Sequence, residues 1–232
     1  MPATIRILSA GAPKQGVGQC AKSFARKTGH EVDVTFATAP VLRERVKKGE
    51  AAADLLVAPV ALMKDCVAAG EVERGMNIVI GSVTAGVAVR EGTAPPDIST
   101  VESLKAALLA ANTVLYNVAS SGQHIADMIE RLGLAEELAA RTERLSTGSG
   151  VMTRLAEGTA PSEIGFGQIT EISRFEGGGV TLVGPLPQEV EKKTTYAAGL
   201  LAGAVATEPA RALLAFMDSA GARQIYAEAG LE

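Results

Sequence analysis

The 232-residue sequence predicts an α/β protein of two lobes, each a mostly parallel sheet flanked by helices. Three observations predict it. Strand-like and helix-like segments alternate almost throughout the chain. Four turns of small residues each stand where a strand hands over to a helix: Ser9-Ala10-Gly11-Ala12, Ala37-Thr38-Ala39-Pro40, Ala119-Ser120-Ser121-Gly122 and Ser146-Thr147-Gly148-Ser149-Gly150. Residues 1–82 and 90–187 follow the same strand–turn–helix logic, and the residues beyond 187 have no evident partner of their own. The chain is therefore expected to return onto its first half, crossing between lobes twice.

Each element has its own signal. Residues 5–8 (IRIL) form a short strand, and Val17, Cys20, Ala21 and Phe24 then share one helical face that Gly29 ends. Residues 32–36 alternate as a strand, 41–48 read as a helix, 54–58 as a buried strand and 60–69 as a helix. Residues 78–89 read as two strand segments about Gly81 or Gly86, and the Pro-rich 90–98 as a loop. Ser99 with Glu102 has the pattern of a capping box for a helix over 101–111. A strand at 113–118, a helix at 121–132 and a short helix at 135–141 follow. Beyond the fourth turn come a helix at 151–157 and strands at 164–166 and 180–183. Residues 184–187 are held extended by their prolines. A strand at 194–206 and helices near 208–220 and 222–229 close the chain.

Composition removes several function classes. The chain is 47% hydrophobic but 3% aromatic with no Trp, so its core is built from Ala, Val, Leu and Ile. A net charge of -4 with scattered Lys and Arg argues against a nucleic-acid surface. Cys20 and Cys66 sit in apolar stripes and read as buried thiols; no CxxC or Cys/His cluster suggests a metal, and no cofactor is expected. The longest apolar run, 196–206, is too short for a membrane span. Residues 1–4 enter a strand with no secretion-signal pattern, which reads as a cytoplasmic protein unless a signal has been removed.

The four turns are the candidate site. Small residues let a ligand approach the backbone, and the following helix aims free N–H groups at an anion. Residues 11–18 (GAPKQGVG) have the glycine spacing of a phosphate loop, but Val17 and Gly18 replace its Lys and Ser/Thr, which rejects a nucleotide loop. What is left is an anion-binding turn at Gly11 and Ala12 with Lys14 at its rim, or a plain Gly-rich turn. Ser120, Ser121 and Gly122 open a helix where the macrodipole favours an anion; a serine there also caps. Ser149 offers a hydroxyl in the fourth turn. Arg43, one turn into its helix, is near enough to Thr38 to hold a carboxylate bidentately, whereas its charged neighbours form a solvated face. His124 reads either as an acid/base or as a half-buried histidine satisfied by a carbonyl. His30 reads as a surface turn residue, and Tyr196 as core.

The chain resembles a known family, the type II periplasmic-binding-protein folds, and in particular the molybdate-binding component of ABC transporters. The carriers are Ile7-Leu8-Ser9-Ala10-Gly11-Ala12, Phe36-Ala37-Thr38-Ala39-Pro40-Val41-Leu42, Ala53-Asp54-Leu55-Leu56-Val57, Ser121-Gly122, Gly150-Val151-Met152, Ile164-Gly165-Phe166-Gly167 and Thr195-Tyr196-Ala197-Ala198. The resemblance covers nearly the whole chain. It implies two lobes joined by a two-strand hinge, residues 1–84 with 195–232 and residues 85–194, clamping a ligand in the cleft between them. It also implies a small anionic ligand and, for an exported protein, an ABC permease as partner. The family holds its oxyanion with hydroxyls and N–H groups of the first two turns and a late tyrosine. Ala12, Ala39 and Phe166 stand at those positions here, with Ser9 and Thr38 as the nearest hydroxyls. Each unmade bond to a charged group costs about 1.5–3 kcal/mol, so a small organic carboxylate fits at least as well as an oxyanion. The competing expectation is an isomerase or lyase of a small carboxylic acid, with His124 as acid/base and Lys14 or Arg43 clamping the carboxylate.

Overall fold

In the computed structural model, which describes residues 2–49 and 52–232, the chain divides into two units: Met1–Val83 with Thr194–Glu232, and Thr84–Lys193. The first unit opens with β1 (Thr4–Ala10), α1 (Lys14–Thr28), β2 (Glu31–Ala37), α2 (Ala39–Lys47), β3 (Leu55–Pro59) and α3 (Val60–Ala68). Then β4 (Val72–Arg90) carries the chain into the second unit. There follow α4 (Val101–Ala110), β5 (Thr113–Asn117), α5 (Ser120–Arg131), α6 (Ala135–Leu138), β6 (Thr142–Leu145), α7 (Gly148–Ala156), β7 (Glu163–Gln168), α8 (Ile169–Ile172) and β8 (Val180–Pro185). The chain returns through β9 (Lys193–Leu201), α9 (Thr207–Met217) and α10 (Ala220–Glu228).

In the first unit the strand order is β2-β1-β3-β9-β4. β1 runs parallel to both β2 and β3, and β9 runs antiparallel to β3. Ile5, Ile7, Leu8, Leu55, Leu56 and Val57 are all buried, because helices cover both faces of the sheet. α1 seats Val17, Cys20, Ala21 and Phe24 in this core, the stripe its sequence spacing calls for. Phe24 meets Phe216 of α9 edge-on at 5.6 Å between ring centres. Since β1, β2 and β3 are parallel, α1, α2 and α3 all begin at one edge of the sheet.

In the second unit β7-β5-β6 are parallel neighbours, and β4 adds antiparallel to β7 with β8 on its other side. α5, α7 and α8 follow β5, β6 and β7, so they too begin at a common edge. Val87, Val114, Ile125, Met128, Ile164 and Phe166 belong to one core, while Leu115, Val151, Met152 and Ile172 belong to a second. Each sheet is thus mixed, parallel at its centre and antiparallel where β4 and β9 carry the chain between units.

Several local expectations are corrected. β4 is one 19-residue strand starting at Val72, not two segments from residue 78. Gly81, at φ +137, absorbs a backbone change there without ending the strand. The cap of α4 is Thr100, whose hydroxyl accepts the Ser103 N–H at 3.1 Å while Ser103 Oγ accepts the Thr100 N–H at 3.0 Å. Ser99 instead donates its N–H to Asp97. The strand expected to run to residue 206 ends at Leu201, where Asp54 takes over the backbone: its carboxylate accepts N–H groups from Val205 and Ala206. His30 lies in the connection between α1 and β2, partly exposed, where its Nδ1 accepts the Ala3 N–H at 3.1 Å and its ring stacks on Phe24. Both cysteines are buried and unpaired. Among the described residues no helix is long and apolar enough to cross a membrane.

Candidate functional site

In the first unit the helix-starting edge presents the turns after β1 and β2. Ser9 is fully buried, and its hydroxyl donates to the Ala10 carbonyl at 3.0 Å, so that hydrogen is spent inside the turn. Gly11 accepts the Lys14 N–H, closing the turn ahead of α1, and Ala12 is buried at its crest. Pro13 caps α1 without a side-chain bond. Lys14 is exposed, with its ammonium 5.0 Å above the centre of the Phe36 ring, a cation–π contact across to β2. Thr38 caps α2 with extended backbone but makes no side-chain capping bond. Its hydroxyl stays available beside the Ala39 N–H, and Pro40 contributes no N–H at all.

Arg43 does not serve this turn. Its guanidinium is ion-paired with Glu71 and lies 3.7 Å from the Cys66 sulfur, so the expected bidentate clamp is already filled from within the chain. Burial and the neighbouring Glu71 push the Cys66 thiol up to about 11. A separate cavity of about 390 Å³, lined in part by Arg6, Val46, Asp54, Glu71 and Val205, lies by the opposite ends of the strands; Asp54 is bonded there to three backbone N–H groups.

In the second unit the turn after β5 is organised by Asn117, a residue the sequence reading passed over. Its Oδ1 accepts N–H groups from Ala119 (2.8 Å) and Gly122 (3.3 Å), and its Nδ2 donates to Ser121 Oγ at 3.1 Å. Ser121 is thus held in place by Asn117, while Ser120 is exposed. The N–H groups of Ser120 and Ser121, in the first turn of α5, have no intrahelical acceptor. Gly122 is obligatory in this geometry, because a Cβ there would lie 1.6 Å from the Asn117 carbonyl oxygen. Phe166 is buried and lines a narrow crevice with Asn117, Ser121 and Gly122; it presents an apolar wall where the resembling family has a tyrosine.

The turn after β6 is capped by Thr147, whose hydroxyl accepts the Gly150 N–H at 2.9 Å. Ser149 is half-buried in the first turn of α7. Gly148 touches the carboxylate of Glu171: a Cβ at 148 would come within 2.2 Å of Glu171 Oε2. Gln168, Thr170 and Glu171, at the end of β7 and in α8, are all buried polar residues at this same edge. The sequence reading missed them because it ended the strand at Phe166. A polar Gln-Ile-Thr-Glu run directly after an apolar strand was the available signal.

His124 lies one turn into α5 and is tied through Nε2 to the Val190 carbonyl at 3.1 Å. A carbonyl only accepts, so Nε2 carries the proton in this contact, which matches the carbonyl-satisfied histidine and leaves Nδ1 alone for other chemistry. Among the described residues no three His, Cys, Asp or Glu side chains gather closely enough to hold a metal ion. In sum, each unit brings helix N-termini and a few hydroxyls to one edge of its sheet: Thr38 and Ala39 with Gly11 and Ala12 in the first, Ser120, Ser121, Gly122 and Ser149 in the second. Such edges hold small anions by N–H donation.

Comparison with known proteins agrees with this architecture. Residues 5–232 match the family model described as a bacterial extracellular solute-binding protein. The chain is 28% identical over 235 residues to a protein named aconitate isomerase from a Pseudomonas species, covering 99% of this chain and 87% of that protein. Its fold is similar to that of the periplasmic molybdate-binding protein of Azotobacter vinelandii, with a TM-score of 0.81, 16% identity and 98% of each chain covered. It is also similar to a sulfate-binding protein of Mycobacterium tuberculosis, with a TM-score of 0.78, 18% identity, and 99% of this chain and 86% of that chain covered. At these identities the two structural likenesses speak for the fold alone.

Proposed function

Since the chain belongs to the bacterial extracellular solute-binding proteins, we propose that it binds a small organic polycarboxylate through N–H groups at helix starts. The observation that carries this reading is the first turn of α5. Asn117 fixes it, two N–H groups remain open, and only the Ser120 hydroxyl beside them is uncommitted. Two adjacent N–H groups suit the two oxygens of a planar carboxylate. A dehydrated tetrahedral dianion needs donors on every side, and beside the start of α5 the buried Phe166 presents only an apolar wall. Under this reading an ABC permease is the expected partner of an exported protein. A thermal-shift screen tests it: citrate, cis-aconitate and trans-aconitate are expected to raise the Tm at millimolar concentration more than molybdate, sulfate or phosphate. A larger shift with molybdate would reverse the assignment.

A second reading is supported by the identity to the aconitate isomerase, which extends over 99% of this chain. Here the bound polycarboxylate is unsaturated and is isomerised by a proton shift between carbons. Proton NMR of cis-aconitate incubated with the protein decides it, through the appearance or absence of the trans isomer.

A further inference from the structure

We propose that Lys14 reads the charge of the ligand, taking one carboxylate of the polycarboxylate as an ion pair; the inference rests on the polycarboxylate reading above. In the first unit α1, α2 and α3 begin at one edge of the sheet, so their N-terminal ends add positive potential there. An acidic side chain in the first turn would offset that potential, yet none of the three helices carries one. By contrast α9 starts at the opposite edge, since β9 runs antiparallel to β3, and it carries Glu208 in its first turn. The only charged residue in the first turns of α1, α2 and α3 is Lys14, a cation where the helix dipole favours an anion. Positive charge is thus gathered at this edge against the local preference, and a bound anion relieves it.

The Lys14 ammonium is also held in place. It stands 5.0 Å over the centre of the Phe36 ring, and Phe36 lies two residues ahead of Thr38. An exposed lysine ordinarily spreads over many rotamers; the ring face narrows them while leaving the charge intact. Among the described residues no carboxylate pairs with Lys14, whereas Arg43 of α2 is neutralised by Glu71. Backbone N–H groups tell an acceptor from a donor but respond weakly to the total charge of a ligand. A full positive charge responds to it directly, because the Coulomb attraction grows with the number of carboxylates. Lys14 therefore supplies a preference for acids with more carboxylates that the N–H groups of the turns do not supply themselves.

The test compares the full-length wild type with Lys14→Met, Lys14→Arg and Phe36→Leu, using tricarballylate (three carboxylates) and glutarate (two) as probes. Isothermal titration at low and at high NaCl reads affinity and its salt dependence, and thermal unfolding without ligand reads stability. Lys14→Met is expected to weaken tricarballylate binding by about tenfold or more, to narrow the preference for tricarballylate over glutarate, and to flatten the salt dependence. Lys14→Arg keeps the charge and is expected to stay within about threefold of wild type. Phe36→Leu loosens the ammonium without removing it, so affinity should fall while the salt dependence stays. The ligand-free Tm of Lys14→Met is expected to hold or rise, since a cation at a helix start is unfavourable; a lower Tm would mark Lys14 as structural and overturn its assignment. Wild-type binding of tricarballylate that Lys14→Met matches in affinity and in salt dependence overturns the role of Lys14 alone. Absence of binding of both acids by the wild type overturns the polycarboxylate reading, and this inference with it.

Discussion

The Asn117 side-chain oxygen accepts the Gly122 N–H, while the Asn117 carbonyl oxygen occupies the space where a side chain at 122 would begin. One residue thus shapes the start of α5 from both its side chain and its backbone. Gly122→Ala is expected to destabilise the protein by about 3 kcal/mol or more, because both clashing groups are backbone and cannot swing away. Asn117→Ala strands the N–H groups of Ala119 and Gly122 and is expected to cost about 1–3 kcal/mol. Urea unfolding of both variants measures these costs. Ligand affinity should fall in Asn117→Ala even at temperatures where it is fully folded.

Arg154 of α7 reaches Glu143 on β6 at 3.1 Å and Glu163 on β7 at 3.0 Å, and the Glu163 side chain is only 1% exposed. Removing the guanidinium leaves a buried charge with no counter-ion, so Arg154→Leu is expected to cost about 3–5 kcal/mol. Pairing it with Glu163→Gln should recover much of that loss. A double-mutant cycle on unfolding free energies checks both statements; a double-variant cost equal to the sum of the two single-variant costs would show that the pair contributes nothing of its own.

The sequence carried the fold much further than the site. Apolar stripes such as Val17, Cys20, Ala21 and Phe24, and runs such as Leu55-Leu56-Val57-Ala58, have periods that only one kind of element satisfies. The strand β6, Thr-Glu-Arg-Leu, has no such period, because it is a polar edge strand recognisable only by its pairing with β5. The small-residue turns were legible, since a strand must end somewhere and small residues mark the place. Which hydroxyls remain available was not: Ser9 and Thr38 are alike in sequence, yet one donates to the Ala10 carbonyl and the other makes no capping bond. The Arg43 pairing was not legible either, as its partner Glu71 is 28 residues away in the chain.

The buried Cys66 thiol, pushed up to about 11, gives a pH dependence with a definite sign. The folded state holds this proton more tightly than the unfolded chain, whose thiol titrates near 8.5. Its stabilising contribution is therefore complete below about pH 8.5 and is lost as the pH rises toward 11. Denaturant unfolding from pH 7.5 to 10.5 is expected to show a steeper loss of stability in the wild type than in Cys66→Ala. Native-state alkylation at pH 8 should be slow, since so little thiolate is present.

Thr38 and Arg43 stand five residues apart on the same short element, and the structure separates their roles. The Thr38 hydroxyl makes no capping bond beside the open N–H of Ala39, whereas Arg43 is paired with Glu71. A hydrogen bond to a charged ligand group contributes about 1.5–3 kcal/mol, so Thr38→Ala is expected to weaken polycarboxylate binding by at least about tenfold. Its unfolding free energy should scarcely change, because no internal bond is lost. Arg43→Ala should behave in the opposite way: stability falls, modestly for a pair whose side chains are 31% and 20% exposed, and affinity stays within about twofold. Isothermal titration with citrate and cis-aconitate, run beside urea unfolding, reads both quantities. Should Arg43→Ala lose affinity while Thr38→Ala keeps it, the ion pair with Glu71 must open when ligand binds, and the assignment of the turn after β2 would pass from the hydroxyl to the guanidinium.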